Sequence, residues 1–263
     1  MARRFYDLNV YWRIIDEVKD VGELVNICES LGFRGIALTV NEDELRQSSL
    51  LKKLKRIKSE SKRHGFDVAL RLAIRSRSIA FSKSLLRKFR RYFEVVSMYN
   101  LTRSVASFAC RDGRVDIITY DPLGVKLYRG DIMNLIEYNK AVEFTILPLK
   151  ETDDPLEAAK LIRLYQKVIS RMVKKGIRIM LTSGARSVRQ LVQLHSMIAL
   201  AKIFGMPQEE ALRALSEVPE EILTLNRLKL RGLIPVRGVL LLDERRLREL
   251  DPSGYAIRRL ERW

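Results

Sequence analysis

The sequence predicts an α/β protein of the TIM-like (β/α) barrel type with about seven parallel strands. Three observations carry that expectation. Short apolar runs of strand length recur along residues 5–182, each followed by a segment whose apolar residues return at helical spacing. Glycine, proline and Asp-Gly punctuate the junctions. Regular βα alternation calls for a parallel sheet with right-handed crossovers, and seven repeats favour closure over the alternative, an open doubly wound sheet.

Phe5 to Val10 is the first expected strand, with Asp7 and Asn9 on one face because strand side chains alternate. A helix from Val21 to Leu31 ends at Gly32, and Gly35 to Val40 is the second strand. Glu44 to Arg63 forms a strongly amphipathic helix, with Leu50, Leu54 and Ile57 on one side and Lys52, Arg56 and Arg63 close to the other. Asp67 to Leu72 is strand three, followed by the polar loop Arg75-Ser76-Arg77-Ser78. Lys83 to Tyr92 repeats the amphipathic design, with Leu85, Leu86 and Phe89 inward and Lys83, Arg87 and Arg91 outward.

Glu94 to Met98 is a short strand, Leu101 to Cys110 a helix, Asp112-Gly113 a turn and Val115 to Thr119 strand five. A short helix from Asp131 to Tyr138 precedes strand six, Ala141 to Ile146. Asp154 as cap and Pro155 at the first helical position open the longest helix, which runs to about Lys174. Ile177 to Leu181 is apolar throughout, as suits a strand buried on both faces. Gly184 breaks it, and Ser187 with Gln190 has the spacing of a capping box opening a helix to Phe204. Another helix spans Pro207 to Ser216, and a shorter one follows Pro219. Residues 1–230 thus read as one barrel domain. Residues 231–263 read as a basic C-terminal extension, not a separate domain, holding the apolar run Val239 to Leu242 and the charged segment Asp243 to Glu249. It is expected to pack as an appendage or to order against a partner.

The net charge of +17 bears on partners rather than on fold. Nucleic acid explains it best; an acidic membrane surface explains it less well. A thermophile surface is also rich in charge, but it usually balances Lys and Arg with Glu, and here 49 Lys and Arg face 32 Asp and Glu. No apolar run is long enough to span a bilayer, and MARRFYDLNV lacks the apolar core of a signal peptide. Cys28 and Cys110 are far apart and read as small buried hydrophobes, so the expected location is cytoplasmic.

Barrels place function at the carboxyl ends of their strands. A hydrolytic metal site there needs clustered His, Asp and Glu. Of the two histidines, His64 precedes a helix-ending glycine and reads as exposed, while His195 lies between Leu191 and Ile198 and reads as a core residue. Asp7, Asp116 and Glu143 lie within strands and could hold Mg²⁺, but satisfied polar residues of a barrel interior are the favoured reading. Neither a nucleophilic triad nor a glycine-rich phosphate loop can be assembled. No catalytic residue and no metal ligand is therefore assigned. The turn from Thr182 to Arg189 differs: hydroxyls of Thr182 and Ser183, backbone N–H groups, Arg186 and Arg189 meet at an expected helix start, a place that suits an anion.

Four stretches, FYDLNV (5–10), VDIITYD (115–121), AVEFTILPL (141–149) and LTSGARSV (181–188), together with the helix from Pro207 and PEEILTLN (219–226), resemble in order and spacing the 30-kDa protein subunit family of ribonuclease P, protein component 3 in archaea. The resemblance covers about residues 1–230, and the tail departs from it. It implies a barrel related to the polymerase and histidinol phosphatase superfamily. Those enzymes carry a His-x-His pair on strand one, where this chain has Asp7 and Asn9, so the resemblance implies that the metals are lost. It further implies that the catalyst is an RNA removing the 5′ leader of precursor tRNA, with Mg²⁺ acting through that RNA and no cofactor bound by this chain. Implied partners are RNase P RNA, precursor tRNA, the small ferredoxin-like component 2 in a heterotetramer, and other RNase P protein subunits, with no membrane. The isolated chain is expected to be inactive. RNA contacts are expected on cations near the strand ends: Arg186 and Arg189 first, then Arg71, Arg75, Arg77 and Arg103, with Lys140, ahead of outer-helix residues such as Lys52, Arg56 and Arg63. The alternative function is a metal-dependent phosphoesterase of the polymerase and histidinol phosphatase type, resting on Asp7, Asp116 and Glu143.

Overall fold

The computed structural model of the protein describes residues 3–46 and 49–234. In order, the elements are β1 (Tyr6–Tyr11), α1 (Val21–Ser30), β2 (Gly35–Asn41), α2 (Leu50–Arg63), β3 (Asp67–Ile74), α3 (Ile79–Phe89), β4 (Val95–Tyr99), α4 (Arg103–Arg111) and β5 (Ile117–Thr119). They continue with α5 (Arg129–Glu137), β6 (Ala141–Thr145), α6 (Leu147–Lys150), α7 (Pro155–Val173), β7 (Arg178–Thr182), α8 (Leu194–Ile203), α9 (Gln208–Leu215) and α10 (Glu217–Leu230). The seven strands are parallel and pair in sequence order, β1 to β7. β1 and β7 form no ladder. Instead the Tyr11 N–H donates to the Ala185 carbonyl at 2.7 Å, and the Ser183 N–H donates to the Asp7 carboxylate at 3.2 Å. The barrel is thus closed across one seam by a side chain and a single backbone bond.

Strand alternation sorts the core into two parts. Outward residues such as Ile36, Leu38, Leu70, Val96, Ile118 and Phe144 pack under the surrounding helices. Inward, Leu8, Ala37, Ala69, Val95, Ile117, Ala141 and Met180 make an apolar floor, sealed from below by Val218, Ile222 and Leu223 of α10. That plug explains why α10 is a long helix of 14 residues rather than the short one expected after Pro219, which sits in its first turn. Arg227 of α10 pairs with Asp67 at 2.6 Å and Glu94 at 2.9 Å, tying the plug to the starts of β3 and β4.

Other boundaries differ for local reasons. The helix expected from Glu44 starts only at Leu50, after a 3-10 turn over Glu42–Arg46. Glu44 is buried in that turn, accepting hydrogen bonds from Tyr11, Trp12 and the Asn41 N–H, which a solvent-facing helical position could not provide. The expected capping box does not form. Val188–Gln190 is a single 3-10 turn, the Val188 N–H is taken by Glu17, and α8 begins at Leu194. Leu194, Met197 and Ala201 then face inward, which turns His195 outward, so it is exposed rather than a core histidine. His64 is exposed, and Cys28 and Cys110 are buried free thiols. No helix among the described residues is long and apolar enough to cross a membrane. The tail segments at 239–242 and 243–249 lie outside the described residues.

Candidate nucleic-acid interface

Above the apolar floor the barrel interior is polar. Arg71 follows Ala69 on the inward side of β3 and is fully buried, at 0 % exposure. Its guanidinium pairs with both carboxylate oxygens of Glu143 and donates to the Leu8 carbonyl at 2.8 Å, Ser97 Oγ at 2.8 Å and Thr119 Oγ1 at 3.1 Å. Glu143 also accepts from Thr119 and Thr182 at 2.6 and 2.7 Å. Burial by itself would push Glu143 up; the Arg71 charge and these hydrogen bonds hold it below the usual carboxylate range. Arg71 is therefore a bolt across the barrel, not a phosphate contact. Lys140, expected at the RNA interface, is likewise structural: it is 3 % exposed, and its ammonium donates to the carbonyls of Ala109, Asp112 and Val115, closing the C-terminal end of α4.

The Thr182–Arg189 turn is likewise no open anion cradle. Gly184 adopts φ +68°, and a Cβ there would meet Leu147 Cβ at 3.1 Å and Thr145 Cβ at 3.3 Å, so the turn needs glycine. Its donors are already taken. Ser183 N–H goes to Asp7, Ala185 N–H to Ser183 Oγ and Arg186 N–H to Gln190 Oε1, while the Thr182 hydroxyl points inward to Glu143. Arg186 pairs with Glu151 at 3.3 Å, Arg75 with Asp121 at 2.9 Å and Arg103 with Asp131. Arg77 and Arg189 are exposed and have no ion-pair partner among the described residues.

The strand carboxylates do not converge on a metal. Asp7 is spent on the seam, Glu143 on Arg71, and Asp116 accepts from Arg90 and the Val96 N–H at the start of β5. Among the described residues no group of three or more His, Cys, Asp and Glu could hold a metal ion. Each carboxylate is committed to a structural donor, which disfavours the phosphoesterase alternative.

Unpaired positive charge lies instead on the flank of the barrel. From Leu50 to Arg63 and from Ile79 to Tyr92 the chain carries twelve Lys and Arg against the single Glu60, a net of +11 against +17 overall. Leu50, Leu54 and Ile57 of α2, with Leu85 and Leu86 of α3, face the sheet, so amphipathic geometry turns the cations outward. Three of the twelve are neutralised: Lys53 by Asp16, Lys58 by Glu94 and Arg90 by Asp116. The remaining nine, including Lys52, Lys55, Arg56, Arg87 and Arg91, are exposed and have no ion-pair partner among the described residues. The two segments meet at Tyr92, where Lys55 lies 5.7 Å and Arg91 4.8 Å from the ring centre. A continuous basic face results. A running charge count over residues 50–92 would have marked it in the sequence.

Comparison with known proteins agrees with this architecture. The chain matches the family described as RNase P subunit p30 over residues 4–231. It is 26% identical over 226 residues to Ribonuclease P protein component 3 of Methanosarcina barkeri, covering 85% of this chain and 90% of that one. The counterpart from Methanosarcina acetivorans is 28% identical over 233 residues, with coverage of 85% and 90%. A chain in the cryo-EM structure of archaeal Ribonuclease P with mature tRNA shares the fold at a TM-score of 0.74 and 14% identity, covering 91% of this chain and 98% of that one. With its seven-stranded barrel and a family match spanning nearly all the described residues, the chain belongs to the RNase P subunit p30 family.

Proposed function

We propose that this chain is a protein subunit of the ribonuclease P ribonucleoprotein. It binds and stabilises the catalytic RNA for removal of the 5′ leader from precursor tRNA. The observation that supports this reading, beside the family itself, is the basic face of α2 and α3. Folding a catalytic RNA brings phosphates close together, and fixed cations lower that repulsion by releasing condensed counterions. Two helices held rigidly on a barrel present such cations without the entropic cost of ordering a mobile segment. In this reading the α2–α3 face supplies the first RNA contacts, with Arg77, Arg189 and the half-engaged Arg75, Arg103 and Arg186 as a second set nearer the strand ends. The chain contributes no catalytic group, Mg²⁺ acts through the RNA, and the partners include component 2 in a heterotetramer within the cytoplasm.

The test is reconstitution. Adding the chain and component 2 to an RNase P RNA lowers the Mg²⁺ needed for precursor tRNA cleavage, while the chain alone cleaves nothing. Cleavage of a phosphate ester by the RNA-free chain, abolished by Asp7→Ala, would contradict the reading and restore the phosphoesterase alternative.

A further inference from the structure

We propose that the barrel mouth is a binding site for an organic polycation of the alkyl-amine class, separate from the RNA-facing flank. A cavity of about 820 Å³ opens there, within the size range of small-molecule sites. Five carboxylates line it, Glu42, Asp43, Asp121, Glu151 and Glu157, against three cations, Arg75, Lys160 and Arg186. Two of those cations are already engaged, Arg75 by Asp121 and Arg186 by Glu151. Asp43 and Glu157 are exposed, with no ion-pair partner among the described residues. A mouth of net negative charge on a chain of +17 is a local inversion of the field that draws cations.

A second observation points into the same cavity. Tyr120 is only 5 % exposed and lines it, yet no described residue hydrogen-bonds its hydroxyl. That hydroxyl is accessible at the cavity surface and free to accept a hydrogen bond there, and an ammonium donor suits a phenol oxygen. The carboxylates are too dispersed for a metal ion, which needs its donors within one coordination sphere. Between them lie Leu147, Pro148, Leu161 and Leu164. Acidic groups separated by apolar wall match a ligand whose charges are separated by methylene spacers. This inference is independent of which surface binds RNA.

Calorimetric titration of the full-length chain with spermidine, in about 0.1 M salt to screen diffuse attraction, tests it. The expected result is saturable one-to-one binding, weakened about tenfold in the D43N/E157Q double variant and about threefold in Tyr120→Phe. Thermal midpoints without ligand, unchanged in D43N/E157Q because both side chains are exposed, separate lost binding from lost folding. No binding by the wild-type chain overturns the proposal, as does equal binding by wild type and both variants. So does heat from Mg²⁺ that matches spermidine. Binding of a lysine-rich peptide with spermidine silent also overturns it, and gives the cavity to a protein segment.

Discussion

Arg71 and Arg87 carry the same guanidinium into opposite surroundings. Arg71 sits inside the barrel with its donors spread over Glu143, Leu8, Ser97 and Thr119, while Arg87 stands in solvent on α3. Inside, the charge is desolvated and useful only because it is completely paired. On the flank it costs little to keep unpaired, and it stays available to a phosphate. The contrast teaches that nearness to a strand end, where barrels usually place function, does not make a cation a ligand contact. What matters is whether its donors are already used.

The sharpest way to break this contrast is Arg71→Met. It leaves Glu143 buried without its counter-charge and should destabilise the fold by about 3–5 kcal/mol in denaturant unfolding. Pairing it with Glu143→Leu should recover much of that loss. A small effect of Arg71→Met alone would mean that the interior pair is not a structural bolt. Next, replacing Lys52, Arg56, Arg87 and Arg91 together by Gln should weaken binding to structured RNA by roughly 100-fold at moderate salt. Unfolding stability should move by about 0.5 kcal/mol or less per site, as expected for exposed surface positions.

The interior also titrates in two windows of opposite sign. Burial raises Asp7 from 3.8 to about 6, so between those values the folded state holds more protons than the unfolded one. Stability from that group is full below 3.8 and is lost as pH rises through 6, by up to about 2–3 kcal/mol. Glu143 is held below its ordinary value of 4.5, so its contribution is full above 4.5 and is lost on further acidification. Asp7→Asn should flatten the pH-stability curve between about 4 and 6 and leave the acid limb in place. An unchanged curve would remove Asp7 from the seam. The smallest effect belongs to Arg186→Ala: its pair with Glu151 is exposed, and its loss should shift unfolding by under about 1 kcal/mol.

Much of the barrel was legible because its signals are local. Seven apolar runs, the Asp154-Pro155 helix start and the outward stripe of α2 all follow from period and capping chemistry. The errors came from residues whose partners are far away in sequence. Arg71 reads as a surface cation until Glu143, 72 residues on, is placed opposite it. Its flanking alanines, Ala69 and Ala73, were the available hint, since small neighbours on the same face of β3 leave room for a large side chain. Lys140 likewise looks free until the end of α4 folds over it. The Ser187 capping box fails locally instead: the Gln190 side chain it needs accepts from the Arg186 N–H, and the Gln190 N–H donates to the Ser187 carbonyl. The flank is visible in composition, yet composition alone does not mark it, because an amphipathic helix carries charge on its outer face whether or not anything binds there.

The most direct test compares salt dependence. RNA affinity should be measured against salt concentration for the wild-type chain, the four-site α2–α3 variant and a mouth variant lacking Arg75 and Arg186. The log-log slope should fall by roughly 0.7–0.9 for each phosphate contact removed, about three units in all for the flank variant, and by no more than about one unit for the mouth variant. A full slope in the flank variant together with a collapsed slope in the mouth variant would return the RNA interface to the strand ends and contradict the account given for the two regions.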